Sequence, residues 1–166
     1  MKGKVFHRIR SCGREFTSEE WGEYCSQSRD DDALRIRTQI GKYLFNDCDV
    51  CLNPEVMSLV VDKKSYGYYV MLEWCDCGNG VWTYGMDFGY GNGGGCRGCS
   101  YATPEDGRRW SRPSEREAKI AACEDAINTL ERNGRKDDKK LTRLIALVTD
   151  YKKSIGRPQP IQLELF

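Results

Sequence analysis

The stretch from Tyr66 to Tyr101, YGYYVMLEWCDCGNGVWTYGMDFGYGNGGGCRGCSY, decides the fold of this chain. In its first part, aromatic and apolar residues recur at every second position, as on one face of a β-strand. This face carries Tyr66, Tyr68, Val70, Leu72 and Trp74. The same period places on one face of a second segment Trp82, Tyr84, Met86, Phe88 and Tyr90. Between them, Gly78-Asn79-Gly80 supplies the positive φ angles of a turn. The stretch therefore predicts a β-hairpin whose aromatic rows form the floor of a core.

The composition indicates about one domain with a real core. The chain has 166 residues, of which 39% are hydrophobic and 31% are charged, and its formal net charge is +1. This balance gives no overall attraction to nucleic acid or to acidic lipid. The sequence contains no apolar run of membrane-spanning length, and its first ten residues, MKGKVFHRIR, lack the apolar centre of a signal peptide. We therefore expect a cytoplasmic protein that does not enter a membrane.

The segments before the hairpin predict strands and two helices. Residues 4–10 alternate loosely as a short strand, and residues 55–62, EVMSLVVD, form a candidate strand. Thr17 and Glu20 form a capping box that opens a short helix. A second helix is predicted after the acidic run 30–32, from apolar residues at helical spacing, namely Ala33, Ile36, Ile40 and Leu44.

The segments after the hairpin predict a loop and two more helices. Gly91–Gly95 is expected to be a mobile loop or a wide turn, followed by a last short strand near Ser100–Thr103. Ser114 opens a helix at a second capping box, and another helix runs from about Asp137 to Ser154. The predicted fold is α+β, with an antiparallel sheet around the hairpin and helices packed on its aromatic face. Residues 1–155 form the single domain, and residues 156–166 form a flexible tail.

Nine cysteines raise the question of a metal site. The odd number argues against a complete disulfide framework, and thiols stay reduced in the cytoplasm. Zinc binds four thiolates in a tetrahedron, which two close pairs from separate turns can supply. The predicted ligands are Cys75, Cys77, Cys96 and Cys99, with Cys48 and Cys51 as the alternative pair. Reduced structural thiols explain the same residues without a metal, so zinc as a cofactor stays open.

The sequence offers no convincing catalytic constellation. His7 is the single histidine, so a Ser-His or Cys-His arrangement would depend on this one residue. The Cys-x2-Cys pairs lack the strand-to-helix context of redox-active thiols. The glycine-rich stretch 89–95 lacks the Lys-Ser/Thr pair of a phosphate-binding loop. We expect a protein that is not an enzyme. Any nucleic-acid contact would fall on the basic loop 108–112.

The last five residues, Gln162-Leu163-Glu164-Leu165-Phe166, resemble the peptide that binds the bacterial sliding clamp, the beta subunit of DNA polymerase III. The pattern of that peptide is Gln-Leu-Ser/Asp-Leu-Phe, so four positions are identical and the fifth is acidic. The resemblance implies that Leu165 and Phe166 fill a hydrophobic pocket, that Gln162 hydrogen-bonds at its far side, and that Leu163 adds a lesser contact. A terminal strand packed on the body is the alternative, because residues 161, 163 and 165 alternate.

The body resembles small uncharacterised proteins of phages and mobile elements. The shared features are a Gly-x-Trp-x-Tyr-Gly strand at 80–85, the glycine run 93–95 and the helix start Ser-Glu-Arg-Glu-Ala at 114–118. Together the two resemblances predict a non-enzymatic phage or mobile-element protein in the cytoplasm of a bacterial host. It would dock on the sliding clamp and modulate or exploit DNA replication or defence. The alternative is a zinc-ribbon module that binds nucleic acid.

Overall fold

The computed structural model describes residues 4–61, 67–107 and 111–156. In chain order its elements are β1 (His7–Ile9), β2 (Arg14–Phe16), α1 (Ser18–Gln27), β3 (Thr38–Ile40), β4 (Tyr43–Phe45), β5 (Glu55–Val60), β6 (Tyr69–Asp76), β7 (Trp82–Tyr90), β8 (Gly93–Arg97), α2 (Glu115–Asn133) and α3 (Lys139–Gly156). The fold is α+β with antiparallel sheets, which confirms the predicted class. The predicted tail peptide at 162–166 and most of the basic loop, residues 108–110, lie outside the described residues.

The main sheet contains four strands in the order β5-β6-β7-β8, each antiparallel to its neighbour. Strands β6 and β7 pair from Tyr69 opposite Gly89 to Asp76 opposite Trp82. Their turn, residues 78–80, has φ angles of 81°, 55° and 72°, which glycine and asparagine tolerate best. The predicted hairpin is therefore confirmed.

Helices α2 and α3 cover one face of the main sheet. The sheet contributes Val70, Leu72, Trp74, Met86 and Phe88 to this buried core. The helices contribute Ala118, Ala122, Cys123, Ala126, Leu130, Leu141, Leu144 and Val148. The aromatic rows thus pack against helices, as the sequence predicts. None of the described helices has the length and apolar character needed to cross a membrane.

The predicted second helix is wrong. Residues 38–45 form the two-stranded antiparallel sheet of β3 and β4, in which Ile40 lies opposite Tyr43. Gly41 makes the tight turn with a φ of 57°, and β-branched and aromatic residues on both sides favour strands. The acidic run starts only a short 3-10 turn, Asp32–Leu34, which the Asp31 side chain caps.

The glycine-rich stretch forms a strand and not the predicted loop. Strand β8 pairs with β7, with Gly94 opposite Gly89 and Gly95 opposite Phe88. A Cβ atom at Gly94 would lie 2.6 Å from the Phe88 carbonyl oxygen, so only glycine allows this close approach. The short strand expected near Ser100–Thr103 is reduced to a single bridge between Ser100 and Val50.

The predicted helix starts at Thr17 and Ser114 are confirmed. The Thr17 hydroxyl accepts the Glu20 N–H at 3.4 Å, and the Glu20 carboxylate accepts the Thr17 N–H at 2.7 Å. At the start of α2, the Ser114 hydroxyl accepts the Glu117 N–H at 3.2 Å. These bonds satisfy N–H groups that the helices cannot pair internally.

Asp138 caps α3 and joins it to the chain just before β6. Its carboxylate accepts the N–H groups of Lys140 and Leu141 at 2.9 and 3.2 Å, and the Tyr68 hydroxyl at 2.5 Å. The hydrogen bond from Tyr68, followed by those from the two N–H groups, lowers the pKa of the Asp138 carboxyl. The ionised form is therefore favoured in the folded state.

We expect Asp138→Ala to lower the free energy of unfolding at pH 7 by about 1 kcal/mol, as for other lost helix caps. Because the folded pKa lies below the unfolded value of about 3.9, this stabilisation is present above pH 4 and is lost as the pH falls through the folded pKa. Urea unfolding at pH 7 and pH 3 measures both effects. Asp137→Ala is the matched control, since that carboxylate is 77% exposed. Equal losses from the two variants would contradict the capping role.

Candidate functional site

The opposite face of β6 carries a second, smaller core that contains four cysteines. Successive side chains of a strand point to opposite faces, so Trp74 packs under the helices while Cys75 belongs to the second core. This core consists of Tyr43, Phe45, Cys51, Cys75, Cys77, Val81, Cys99 and Ala102. We call its four cysteines, Cys51, Cys75, Cys77 and Cys99, the thiol cluster. All four are buried, and the most exposed of them, Cys51, is only 6% exposed.

Two loops that are far apart in sequence bring Cys51 and Cys99 to the cluster. The Cys51 N–H donates to the Cys99 carbonyl at 2.8 Å, and the Tyr101 N–H donates to the Asp49 carbonyl at 2.7 Å. The side chain of Asn46 folds the first loop by accepting two of its backbone N–H groups, each at 2.9 Å. The two loops are therefore fixed to each other by their backbones, independently of the thiols.

Cys75 is the centre of the thiol cluster. Its neighbours in this core include the thiols of Cys51, Cys77 and Cys99. These three thiols, followed by burial, raise the pKa of the Cys75 thiol. The Cys75 thiol in turn lowers the pKa of Cys51 and of Cys77. The protonated form of Cys75 is therefore favoured in the folded state.

A backbone N–H group points at the Cys77 sulfur. The Ala102 N–H donates to this sulfur at 3.4 Å. The Cys75 thiol and this N–H group lower the pKa of the Cys77 thiol, against the effect of burial. The Cys51 thiol has a different partner, because it donates to the Asn53 Oδ1 at 3.9 Å. The same oxygen accepts the Leu44 N–H at 2.7 Å.

Neither predicted set of four ligands is the one that the fold assembles. Three of the predicted ligands, Cys75, Cys77 and Cys99, lie in the thiol cluster, whereas Cys96 is exposed on β8. The fourth cysteine of the cluster is Cys51. Cys48, with which the sequence pairs it, is exposed. The physical reason lies in the extended chain around Cys96 and Cys99. Residues three apart in such a chain point to opposite sides.

As arranged, the His, Cys, Asp and Glu side chains within the described ranges include no group of three or more that could hold a metal ion. Within the thiol cluster, Cys75 lies beside the other three cysteines. Cys75 and Cys99 are both 0% exposed, so a macromolecular substrate cannot reach these sulfurs. The described arrangement suits structural packing, and not nucleophilic attack on a large substrate.

A cleft of about 410 Å³ opens beside the thiol cluster, lined in part by Thr83, Tyr101 and Gly98. It also contains Arg10 and Arg97, each of which pairs with a carboxylate: Arg10 with Asp106, and Arg97 with Asp125 at 2.7 Å. This pairing compensates the positive charge that the cleft would otherwise offer to a phosphate.

In the described part of the chain, His7 contacts an aromatic side chain and a backbone carbonyl. Its ring stacks on Trp21 with the ring centroids 3.6 Å apart, and a ring nitrogen lies 3.4 Å from the Asp47 carbonyl oxygen. Its role in the described structure is packing between β1 and α1.

Comparison with protein-family models, with curated proteins and with solved structures finds no match for this chain.

We expect the nine thiols to separate into two reactivity classes. The exposed residues Cys12, Cys25, Cys48 and Cys96 should react quickly with iodoacetamide in the reduced native protein, because their sulfurs meet solvent. The thiol cluster and Cys123, whose pKa burial raises to about 12, should react only after unfolding. Pulse labelling followed by peptide mass spectrometry measures this, with labelling in guanidinium as the control. Fast native labelling of Cys75 or Cys99 would contradict the burial of the cluster.

Gly85 lies directly under the loop that delivers Cys99. A Cβ atom at this position would lie 2.3 Å from the Arg97 carbonyl oxygen and 2.7 Å from the Cys99 nitrogen. We expect Gly85→Ala to lower the free energy of unfolding by about 1–3 kcal/mol, as other overpacking changes do, and to make Cys99 reactive toward iodoacetamide. Urea unfolding and labelling test this. Gly22→Ala on α1 is the control, because a Cβ there meets nothing within 4 Å; a Gly85→Ala protein as stable as that control would refute the close approach.

Proposed function

We propose that this chain is a non-enzymatic accessory protein of a phage or mobile element, which docks on the bacterial sliding clamp through residues 162–166. The observation that carries the proposal is the tail sequence, in which Gln162, Leu163, Leu165 and Phe166 are identical to the clamp-binding pattern. On this proposal the protein acts in the cytoplasm of a bacterial host and brings its body close to replicating DNA.

The end of α3 supports the proposal, because it lets the chain leave the body at the surface. Lys153, Ser154 and Gly156 in its last turn are exposed. The Arg116 guanidinium donates to the Ile155 carbonyl at 3.4 Å, which ties this end of α3 to the first turn of α2. The exit point is therefore defined relative to the body.

The spacer between α3 and the peptide is short. Five residues, 157–161, separate Gly156 from Gln162, and two of them are proline. An extended spacer of this length reaches at most about 18 Å, and proline keeps such a segment stiff. A clamp bound to the peptide would therefore lie close to the end of α3 and the first turn of α2, rather than at the end of a long tether.

The alternative, a zinc-ribbon module that binds nucleic acid, has less support from the described residues. The thiol cluster offers it a structural basis, but the arginines beside the cluster pair with carboxylates. A phosphate backbone is bound by uncompensated Lys and Arg side chains. We therefore prefer clamp docking, which needs only the tail and the surface at which the tail begins.

Alanine at either of the two apolar anchors should weaken binding to the clamp. Truncation of a hot-spot residue costs about 2 kcal/mol, so we expect Leu165→Ala and Phe166→Ala each to weaken the affinity about 30-fold. Surface plasmon resonance against a purified bacterial sliding clamp measures this, and circular dichroism checks that the fold is unchanged.

Glu164→Ser is the matched control in the same peptide. The clamp-binding pattern accepts serine at this position, so we expect its affinity to stay within about twofold of the wild-type value. Equal binding of the wild-type chain and the Leu165→Ala/Phe166→Ala double variant would refute the proposal.

A further inference from the structure

We propose that the thiol cluster, Cys51, Cys75, Cys77 and Cys99, binds one zinc ion as four thiolates. The inference rests on the fold of the body and is independent of docking through the tail. It replaces both sets of ligands that the sequence suggests, because the fold exposes Cys48 and Cys96 and buries Cys51 with the other three.

The number of ligands fits zinc. Structural zinc sites are four-coordinate and tetrahedral, with Zn–S bonds of about 2.3 Å, so neighbouring sulfurs in such a site lie about 3.8 Å apart. The four cysteines are neighbours in one small buried core, with Cys75 beside the other three. As the described side chains stand, they form no group that could hold a metal ion. Rotation of the four side chains would bring their sulfurs to the spacing of a zinc site, while the backbones stay in place.

The backbone around the cluster is organised without the ion. Cys75 and Cys77 share one face of the β6 strand and its extension, where the Cys77 N–H donates to the Val81 carbonyl at 2.8 Å. Cys51 and Cys99 are held side by side by the hydrogen bond between their own backbones. Three separate segments thus deliver four sulfurs to one buried place, which is the arrangement of a structural zinc site and not of a linear peptide motif.

The surroundings of the cluster contain a donor for the charge of the bound site. Binding converts four thiols and one Zn²⁺ into a zinc tetrathiolate of net charge −2, and four protons leave to solvent. The Ala102 N–H, which donates to the Cys77 sulfur at 3.4 Å, offsets part of this charge. Donors of this kind, placed behind the ligands, are the usual support of metal-bound sulfur.

The choice of zinc over other ions follows from the donor set. Four sulfurs without an oxygen or nitrogen ligand exclude Mg²⁺ and Ca²⁺, which prefer oxygen. Tetrahedral sulfur ligation suits Zn²⁺ and iron, and a structural role needs no redox change at the metal. The second core is small, so an ion that links the end of β6 to both loops stabilises a region with little apolar surface to bury.

The test begins with the metal content of the full-length protein, expressed with zinc in the medium and purified under reducing conditions. We expect about one zinc per chain by plasma mass spectrometry. Cys51→Ser and Cys75→Ser should lose most of this zinc. Cys48→Ser and Cys96→Ser, the matched exposed cysteines, should keep it. Retention of zinc by Cys51→Ser together with its loss from Cys96→Ser would overturn the assignment.

A second measurement uses the wild-type chain alone, in case the cluster variants fail to fold. The protein is stripped of metal with a chelator and titrated with Co²⁺ under reducing conditions. We expect the intense visible bands of tetrahedral cobalt–thiolate, saturation at about one ion per chain, and release of protons into a weak buffer. Absence of zinc from the purified protein together with absence of the cobalt bands overturns the proposal, and so does iron in place of zinc.

Discussion

The antiparallel pairing of β6 with β7 is the constraint on which the rest of the structure depends. Because side chains alternate along β6, one strand supplies both cores: Trp74 lies under the helices and Cys75 lies in the thiol cluster. The pairing also places Thr83, the partner of Cys75 in the register, on the wall of the neighbouring cleft. The helical layer and the cysteine layer are therefore coupled through a single strand.

The sequence is sufficient for the hairpin and for the helical layer. Alternation over Val70, Leu72 and Trp74 is a local signal, and the Gly78-Asn79-Gly80 turn agrees with it. The caps at Thr17 and Ser114 are likewise readable, because a capping residue bonds to an N–H group three residues away. Where the local signals agree with one another, the prediction and the structure agree as well.

The failures of sequence reasoning have two physical causes. Ile36, Ile40 and Leu44 have helical spacing by coincidence, and the turn at Gly41 with strand-forming residues around it decides the structure instead. The second cause is packing between distant strands. The glycines of β8 disfavour a strand in isolation, but the close approach of β7 requires them. This approach exists only in the folded sheet.

The sequence also does not reveal which cysteines form the thiol cluster, because this depends on contacts that exist only in the folded chain. Cys75 and Cys77 share a face for a local reason, but the place of Cys51 beside Cys99 depends on a contact between loops 48 residues apart in sequence. The spacing of two intervening residues suggests Cys96 and Cys48 as ligands. The extended strand at Cys96 and the turn at Cys48 leave both of these thiols exposed.

The double use of β6 restricts how this protein can change in length during evolution. A single inserted or deleted residue within the strand would exchange the two faces, placing a cysteine under the helices and a tryptophan among the thiols. Length variation in relatives of this chain is therefore expected outside β6. Within β6, the even-numbered positions 70 to 74 must fit the core under the helices, and Cys75 among the odd-numbered positions must fit the thiol cluster.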